Sequence, residues 1–168
     1  EMDPQQKLVL RAAWETIENA GYAMDSLRGE AVGVYLGVQR NENLFQLMKS
    51  GREFGPYTNI GNTHSMLANR VSYFFDWTGD SLSVDTACSA SSSALHLACH
   101  ALLRGEIKLA LVGGVTVVQE PFSHIANRKM GLLTNEPRVR SFDRDSGGYL
   151  IGEGVATALL KPLAQAEK

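Results

Sequence analysis

Val84-Asp85-Thr86-Ala87-Cys88-Ser89-Ala90-Ser91-Ser92-Ser93 is the stretch whose reading decides the fold. Ser81 to Asp85 alternates polar and apolar residues, which predicts a short strand. A helix then runs from about Ala87 to Arg104, with Gly105 as its stop signal. Leu95, Ala98 and Leu102 are its expected buried stripe. The unit is therefore strand, tight turn, helix, with Cys88 at the point where the turn gives way to the helix.

Outward from this unit the same alternation continues. Asp3-Pro4 opens a helix, since Asp caps and Pro suits the first turn. Leu10, Ala13, Trp14 and Ile17 carry its apolar spacing, and Gly21 ends it. Val32 to Val38 is an apolar run of strand length. Residues 40–58 are polar and mixed, and read as a surface excursion with a single helical turn. A second helix covers 63–75, with Leu67, Val71, Phe74 and Phe75 on one face. Thr78-Gly79-Asp80 is a turn. Lys108 to Val118 reads as a buried strand, 121–131 as a short helix and 134–148 as a loop. Val155 to Leu160 is a last strand before Pro162. Nearly all-apolar strands alternating with helices predict an α/β fold, with a mostly parallel sheet covered on both faces.

The chain has 168 residues, 44% hydrophobic and 20% charged, with a net charge of −2. That is enough for one domain with a real core. Without a basic stripe, nucleic-acid binding has no support. The longest apolar run, Ile107 to Val118, contains Lys108 and is far short of the roughly 20 residues a membrane span needs. No basic-then-apolar leader opens the sequence. The cysteines, Cys88 and Cys99, would lie roughly 16 Å apart on one helix, too far for a disulfide. Free thiols suit a reducing, cytoplasmic compartment.

Cys88 is the candidate nucleophile. At a helix N-terminus it would meet unpaired N–H groups and the positive end of the helix dipole. Both favour the thiolate. The same N–H groups, that of Cys88 included, can hold an oxyanion when a thioester carbonyl is attacked. Ligands of parallel α/β sheets also bind at the carboxyl ends of strands. Against this, cysteine is among the most buried residue types, and a lone one is more often core than catalyst. Cys99, mid-helix between Ala98 and His100, is assigned to the core on that ground. His96 and His100 share a helical face at i, i+4 spacing, which can ligate metal. No third ligand is evident, and no metal site is assigned.

Asp85-Thr86-Ala87-Cys88-Ser89, with Ala94-Leu95-His96-Leu97-Ala98-Cys99, resembles the active-site segment of modular ketosynthases, the condensing domains of polyketide and fatty acid synthases. Met2-Asp3-Pro4-Gln5-Gln6, with Trp14-Glu15 and Glu18-Asn19-Ala20-Gly21, is similar to the family's early helix. Leu67-Ala68-Asn69-Arg70-Val71-Ser72-Tyr73-Phe74-Phe75 and Leu111-Val112-Gly113-Gly114-Val115 resemble its later elements. Ser141-Phe142-Asp143, Gly152-Glu153-Gly154-Val155 and Leu160-Lys161-Pro162-Leu163 complete the likeness, which spans the chain in order.

The resemblance implies a thiolase-like fold and an acyltransferase of β-ketoacyl synthase type. In such an enzyme Cys88 takes an acyl group from a carrier thioester. A malonyl-type extender then loses carbon dioxide and attacks the acyl-enzyme. It implies no metal and no tightly held cofactor, since the phosphopantetheine arm belongs to an acyl carrier protein. It also implies a homodimer for the complete enzyme. Residues 1–168 are expected to be the N-terminal half of a ketosynthase domain, without its first strand or C-terminal half. The family's catalytic histidines and lysine lie in that other half, so these residues alone are expected not to condense. Two departures stand out: Ala90 with Ser92-Ser93 after the cysteine, and Ser146-Gly147-Gly148-Tyr149 in a later turn. Two rival readings remain. One is a non-catalytic, chain-length-factor-like partner, which would commonly lack the cysteine. The other is a Cys-dependent thioester hydrolase, but residues 86–90 lack both glycines of the hydrolase elbow.

Overall fold

The computed structural model describes residues 1–167. Four strands form one sheet: β1 (Val32–Gly37), β2 (Ser81–Val84), β3 (Leu109–Thr116) and β4 (Gly154–Leu160), in the spatial order β2-β1-β3-β4. β1 runs parallel to β2 and β3, with Val34 opposite Ser81 and Leu111. β4 runs antiparallel to β3, with Val115 opposite Val155. The sheet is thus mostly parallel, as expected, with an antiparallel strand at one edge. Its main consequence is that β1, β2 and β3 all end on the same side of the molecule.

Helices cover both faces. On one lie α1 (Pro4–Asn19) and α4 (Ser65–Phe75). Their core joins Val9, Ala13, Ile17, Leu67 and Val71 to Val32, Val34, Leu36 and Leu111 of the sheet. α5 (Ala90–Leu103) lies on the other, where Ala94, Ala98 and Ala101 pack against Tyr35, Ala110 and Val112. Tyr35 is buried there, and its hydroxyl donates to the Asp80 carboxylate at 2.8 Å. Burial, and then the bond to that carboxylate, push the Tyr35 hydroxyl well above its ordinary range.

Asp3 caps α1 as predicted, its Oδ1 accepting from the Gln5 N–H at 2.8 Å. The chain leaves α1 through Gly21 at φ +78°, which a side chain would disfavour. The face that packs is rotated from the predicted stripe. Val9, Ala13 and Ile17 are buried, while Trp14 lies at the rim, edge-on to Phe74 at 6.2 Å. Phe74 is half exposed for the same reason, and Ala68 and Ser72 take the inner positions of α4.

Three further expectations need correction. Residues 40–58 hold more than a single turn: α2 (Glu42–Lys49) makes two, and α3 (Thr58–Asn62) follows. The buried stripe of α5 is Ala90, Ala94, Ala98 and Ala101, with Leu102 packing partly buried beside it, and Leu95 is not part of it. Small side chains let this helix sit close to the sheet, which turns Leu95 and Leu97 outward. Cys99 follows Leu95 out and is exposed, so it is not a core residue. The remaining helices are α6 (Phe122–Lys129) and α7 (Leu163–Ala166). No helix of the described residues is long and apolar enough to cross a membrane.

Candidate functional site

β2 ends at Val84, and the chain must reverse onto the opposite face of the sheet. Asp85 starts the turn, its Oδ1 accepting from the Ala87 N–H at 2.9 Å. Ala87 takes a left-handed φ of +55°, a conformation that costs a non-glycine residue roughly 1–2 kcal/mol. The Ala90 N–H then closes on the Ala87 carbonyl at 3.0 Å. The Ser89 hydroxyl reaches back to the Thr86 carbonyl and hydroxyl at 2.8 and 2.9 Å, and Thr86 Oγ1 also lies 2.9 Å from Ser93 Oγ.

Cys88 sits at the outer corner of this turn and is exposed. Here the expectation shifts: α5 begins at Ala90, so Cys88 precedes the helix instead of opening it. The left-handed Ala87 and the back-bonded Ser89 delay the helix by three residues from its expected start. Because the Ser89 hydroxyl is committed to Thr86, it makes no side-chain cap bond to α5, whose first N–H, that of Ala90, is held by the Ala87 carbonyl instead. The Cys88 N–H itself has no hydrogen-bond partner among the described residues.

The close fit of this helix start depends on two glycines. A Cβ on Gly37, the last residue of β1, would lie 2.5 Å from the Ser91 nitrogen. One on Gly114 of β3 would lie 3.0 Å from Ser91 Cβ. Ser91 therefore rests directly over β1 and β3, three residues beyond Cys88.

Sequence reasoning missed the polar residues that brace the strand ends. Gln5 is buried beneath them; its Nε2 donates to the Arg40 carbonyl at 2.7 Å and its Oε1 accepts from the Val117 N–H at 3.3 Å. Gln6 joins the Gly61 carbonyl at 3.0 Å and the Arg70 guanidinium at 2.8 Å. Glu42 is buried and accepts from the Gln119 and Glu120 N–H groups at 2.7 and 2.8 Å and from the Ser123 hydroxyl at 2.6 Å. Burial alone would push the Glu42 carboxyl up. Those three donors and the Arg40 guanidinium at 3.7 Å outweigh it and hold the carboxyl below the ordinary glutamate range. Glu153 accepts from the Val118 N–H at 2.6 Å, a bracing role that needs no acid–base chemistry. Burial is what distinguishes Gln5, Gln6 and Glu42 from other polar residues on their helices, and burial is not visible in sequence.

His96 and His100 lie side by side on the exposed face of α5, with ring centroids 4.4 Å apart. Among the described residues no group of three or more His, Cys, Asp or Glu side chains is arranged to hold a metal ion. His64 faces Asp3, Gln5 and Gln6 across a small cavity, and His124 is exposed on α6. None of the four adjoins Cys88 in sequence or shares its turn.

A mostly parallel sheet between helical layers, with a cysteine in the strand-to-helix turn, is the architecture of a thiolase-like fold. Residues 1–166 match the family model described as the N-terminal domain of beta-ketoacyl synthase, and the chain belongs to that family. It is 43% identical to a reducing polyketide synthase of Aspergillus oryzae over 98% of its own length and 7% of that protein's. It is 41% identical to erythronolide synthase EryA2 of Saccharopolyspora erythraea, over 98% of its length and 5% of the other's. Among solved structures, the ketosynthase from module 6 of the bacillaene synthase of Bacillus subtilis 168 superposes with a TM-score of 0.87. The identity there is 36%, over 99% of this chain and 28% of that one. An oxazolomycin ketosynthase domain from Streptomyces albus superposes at 0.85. The chain thus corresponds to a ketosynthase N-terminal domain of polyketide synthases and spans a small part of the proteins it matches.

Proposed function

We propose that this chain supplies the acyl-accepting half of a polyketide ketosynthase, with Cys88 as the nucleophile. The Cys88 sulfur attacks the carbonyl of an acyl thioester on an acyl carrier protein. The carrier thiol leaves, and the acyl group remains on sulfur. A malonyl thioester on a carrier then loses carbon dioxide. Its carbanion attacks the acyl–Cys88 carbonyl and expels the Cys88 thiolate, leaving a β-ketoacyl chain on the carrier. The Cys88 N–H and the first turn of α5, which has no side-chain cap, are the donors for the oxyanion of the first step. The protein needs no metal or resident cofactor, because the phosphopantetheine arm comes with the carrier. The complete enzyme acts as a homodimer. Two exposed free thiols fit a reducing, cytoplasmic setting.

The observation that supports this reading best is the exposed cysteine in a braced strand-to-helix turn, within a family match over nearly the whole chain. The presence of that cysteine favours a catalytic domain over a chain-length-factor-like partner. To test it, the complete synthase that carries this chain is incubated with an acyl thioester and its peptides are analysed by mass spectrometry. The acyl mass should appear on the Cys88 peptide and vanish in Cys88→Ala. Acylation at another residue, or full condensing activity in Cys88→Ala, would refute the assignment.

A further inference from the structure

β1, β2 and β3 are parallel, so three chain exits share one end of the sheet. The β2 exit carries Cys88. The β1 exit leads into α2, and the β3 exit is residues 117–121, which have no helix or strand of their own. Yet the backbone of this segment is held along its length. The N–H groups of Val117, Val118, Gln119 and Glu120 are accepted in turn by Gln5, Glu153 and, for the last two, Glu42. Glu42 also takes the Ser123 hydroxyl in the first turn of α6. From α2, Gln46 donates to the Gln119 carbonyl at 2.6 Å, and Lys49 pairs with Glu120. Four consecutive amides satisfied by side chains from α1, α2 and the loop before β4 fix a path that the backbone alone does not specify.

Carboxyl ends of parallel strands are where ligands of such sheets lie. Beyond the same end α6 offers Phe122 and Ile125, exposed and apolar. We infer that Glu42 is a positioning residue for the acyl chain: by tying the β3 exit to the β1 exit, it sets the wall against which that chain lies beside Cys88. This rests on the acyl-transfer reading above. It assigns Glu42 no contact with the reacting atoms. It predicts an effect on how a long acyl group is held, separable from the reactivity of the sulfur.

The test compares the complete synthase with its Glu42→Ala and Glu42→Gln variants. Each is acylated with acetyl and octanoyl thioesters of N-acetylcysteamine, and Cys88 is separately alkylated with iodoacetamide. Glu42→Ala should raise KM for the octanoyl thioester by about tenfold, within the range expected when a substrate is displaced by less than an ångström. The acetyl KM and the alkylation rate should stay within about twofold of wild type, as for a group that binds without reacting. Glu42→Gln keeps an acceptor for both amides and should restore the octanoyl KM. Should Glu42→Ala not fold, Ser123→Ala removes one bond to the same carboxylate and should give a smaller rise confined to the octanoyl substrate. Equal changes for both thioesters, or an unchanged octanoyl KM in the folded variants, overturn the inference while leaving Cys88 as nucleophile. A wild-type enzyme not acylated at Cys88 defeats both.

Discussion

At Gly37 a side chain would place its first carbon 2.5 Å from the Ser91 nitrogen and 2.7 Å from the Ala90 carbonyl carbon. Both are backbone atoms at the start of a packed helix, so neither can swing away. Gly37→Ala must lift the N-terminus of α5 off β1, and overpacking of this kind costs about 1–3 kcal/mol. Because Cys88 is joined to that helix start, its turn should move with it. Urea denaturation should show the loss of stability, and alkylation of Cys88 should change rate in the variant. An alanine at position 37 that leaves both unchanged would mean that the helix start is not seated as described. In the sequence, Gly37 reads only as a weakening residue in a strand. Its role depends on a contact with a residue more than fifty positions away. The same holds for Ala87: nothing in its side chain announces a positive φ, which is imposed by the Asp85 and Ser89 bonds on either side.

At the scale of the element, α2 shows why part of the site was not legible. Its sequence, Glu42–Lys49, is short and mixed, and its buried residue is a glutamate. Apolar periodicity cannot reveal a helix whose inward contact is a carboxylate. By contrast α1, α4 and the four strands carry apolar faces against one sheet and were legible within a few residues. The start of α5 was displaced by hydroxyl–backbone bonds that compete with helix formation. The buried carboxylate also gives α2 a pH signature. The Glu42 carboxyl is held below its unfolded value. It therefore contributes stability that is fully present above the unfolded value and disappears as pH falls through the folded one. Thermal unfolding followed from pH 7 into the acid range should lose part of its stability there. Glu42→Ala should lose about 2–4 kcal/mol at neutral pH, as expected when buried donors and Arg40 lose their partner. Its deficit relative to wild type should shrink on acidification. A deficit that grows as pH falls would contradict the sign of this linkage.

The whole molecule is lopsided. On the α1 and α4 side, two helices and the sheet enclose an aliphatic and aromatic core in which Phe75 stacks on Trp77 at 4.7 Å. On the α5 side a single alanine-faced helix covers the sheet. Its outer surface leaves Leu95, Leu97 and Leu103 at 43%, 41% and 84% exposure. Inward alanines bring the helix close, but the leucines that a two-layer helix would bury are left facing water. Exposed leucines of this kind favour association. Residues 1–168 produced alone should therefore self-associate at micromolar concentration, as measured by sedimentation velocity. Leu97→Glu with Leu103→Glu should shift the population towards monomer without altering the circular dichroism spectrum, since neither side chain belongs to the core. If the unsubstituted chain sediments as a monomer throughout, the exposed leucines are not sticky enough to govern its behaviour. If the double variant remains associated, the contact lies elsewhere, with the exposed edge of β2 next in line because its inner partner is β1 and its outer side is unpaired among the described residues.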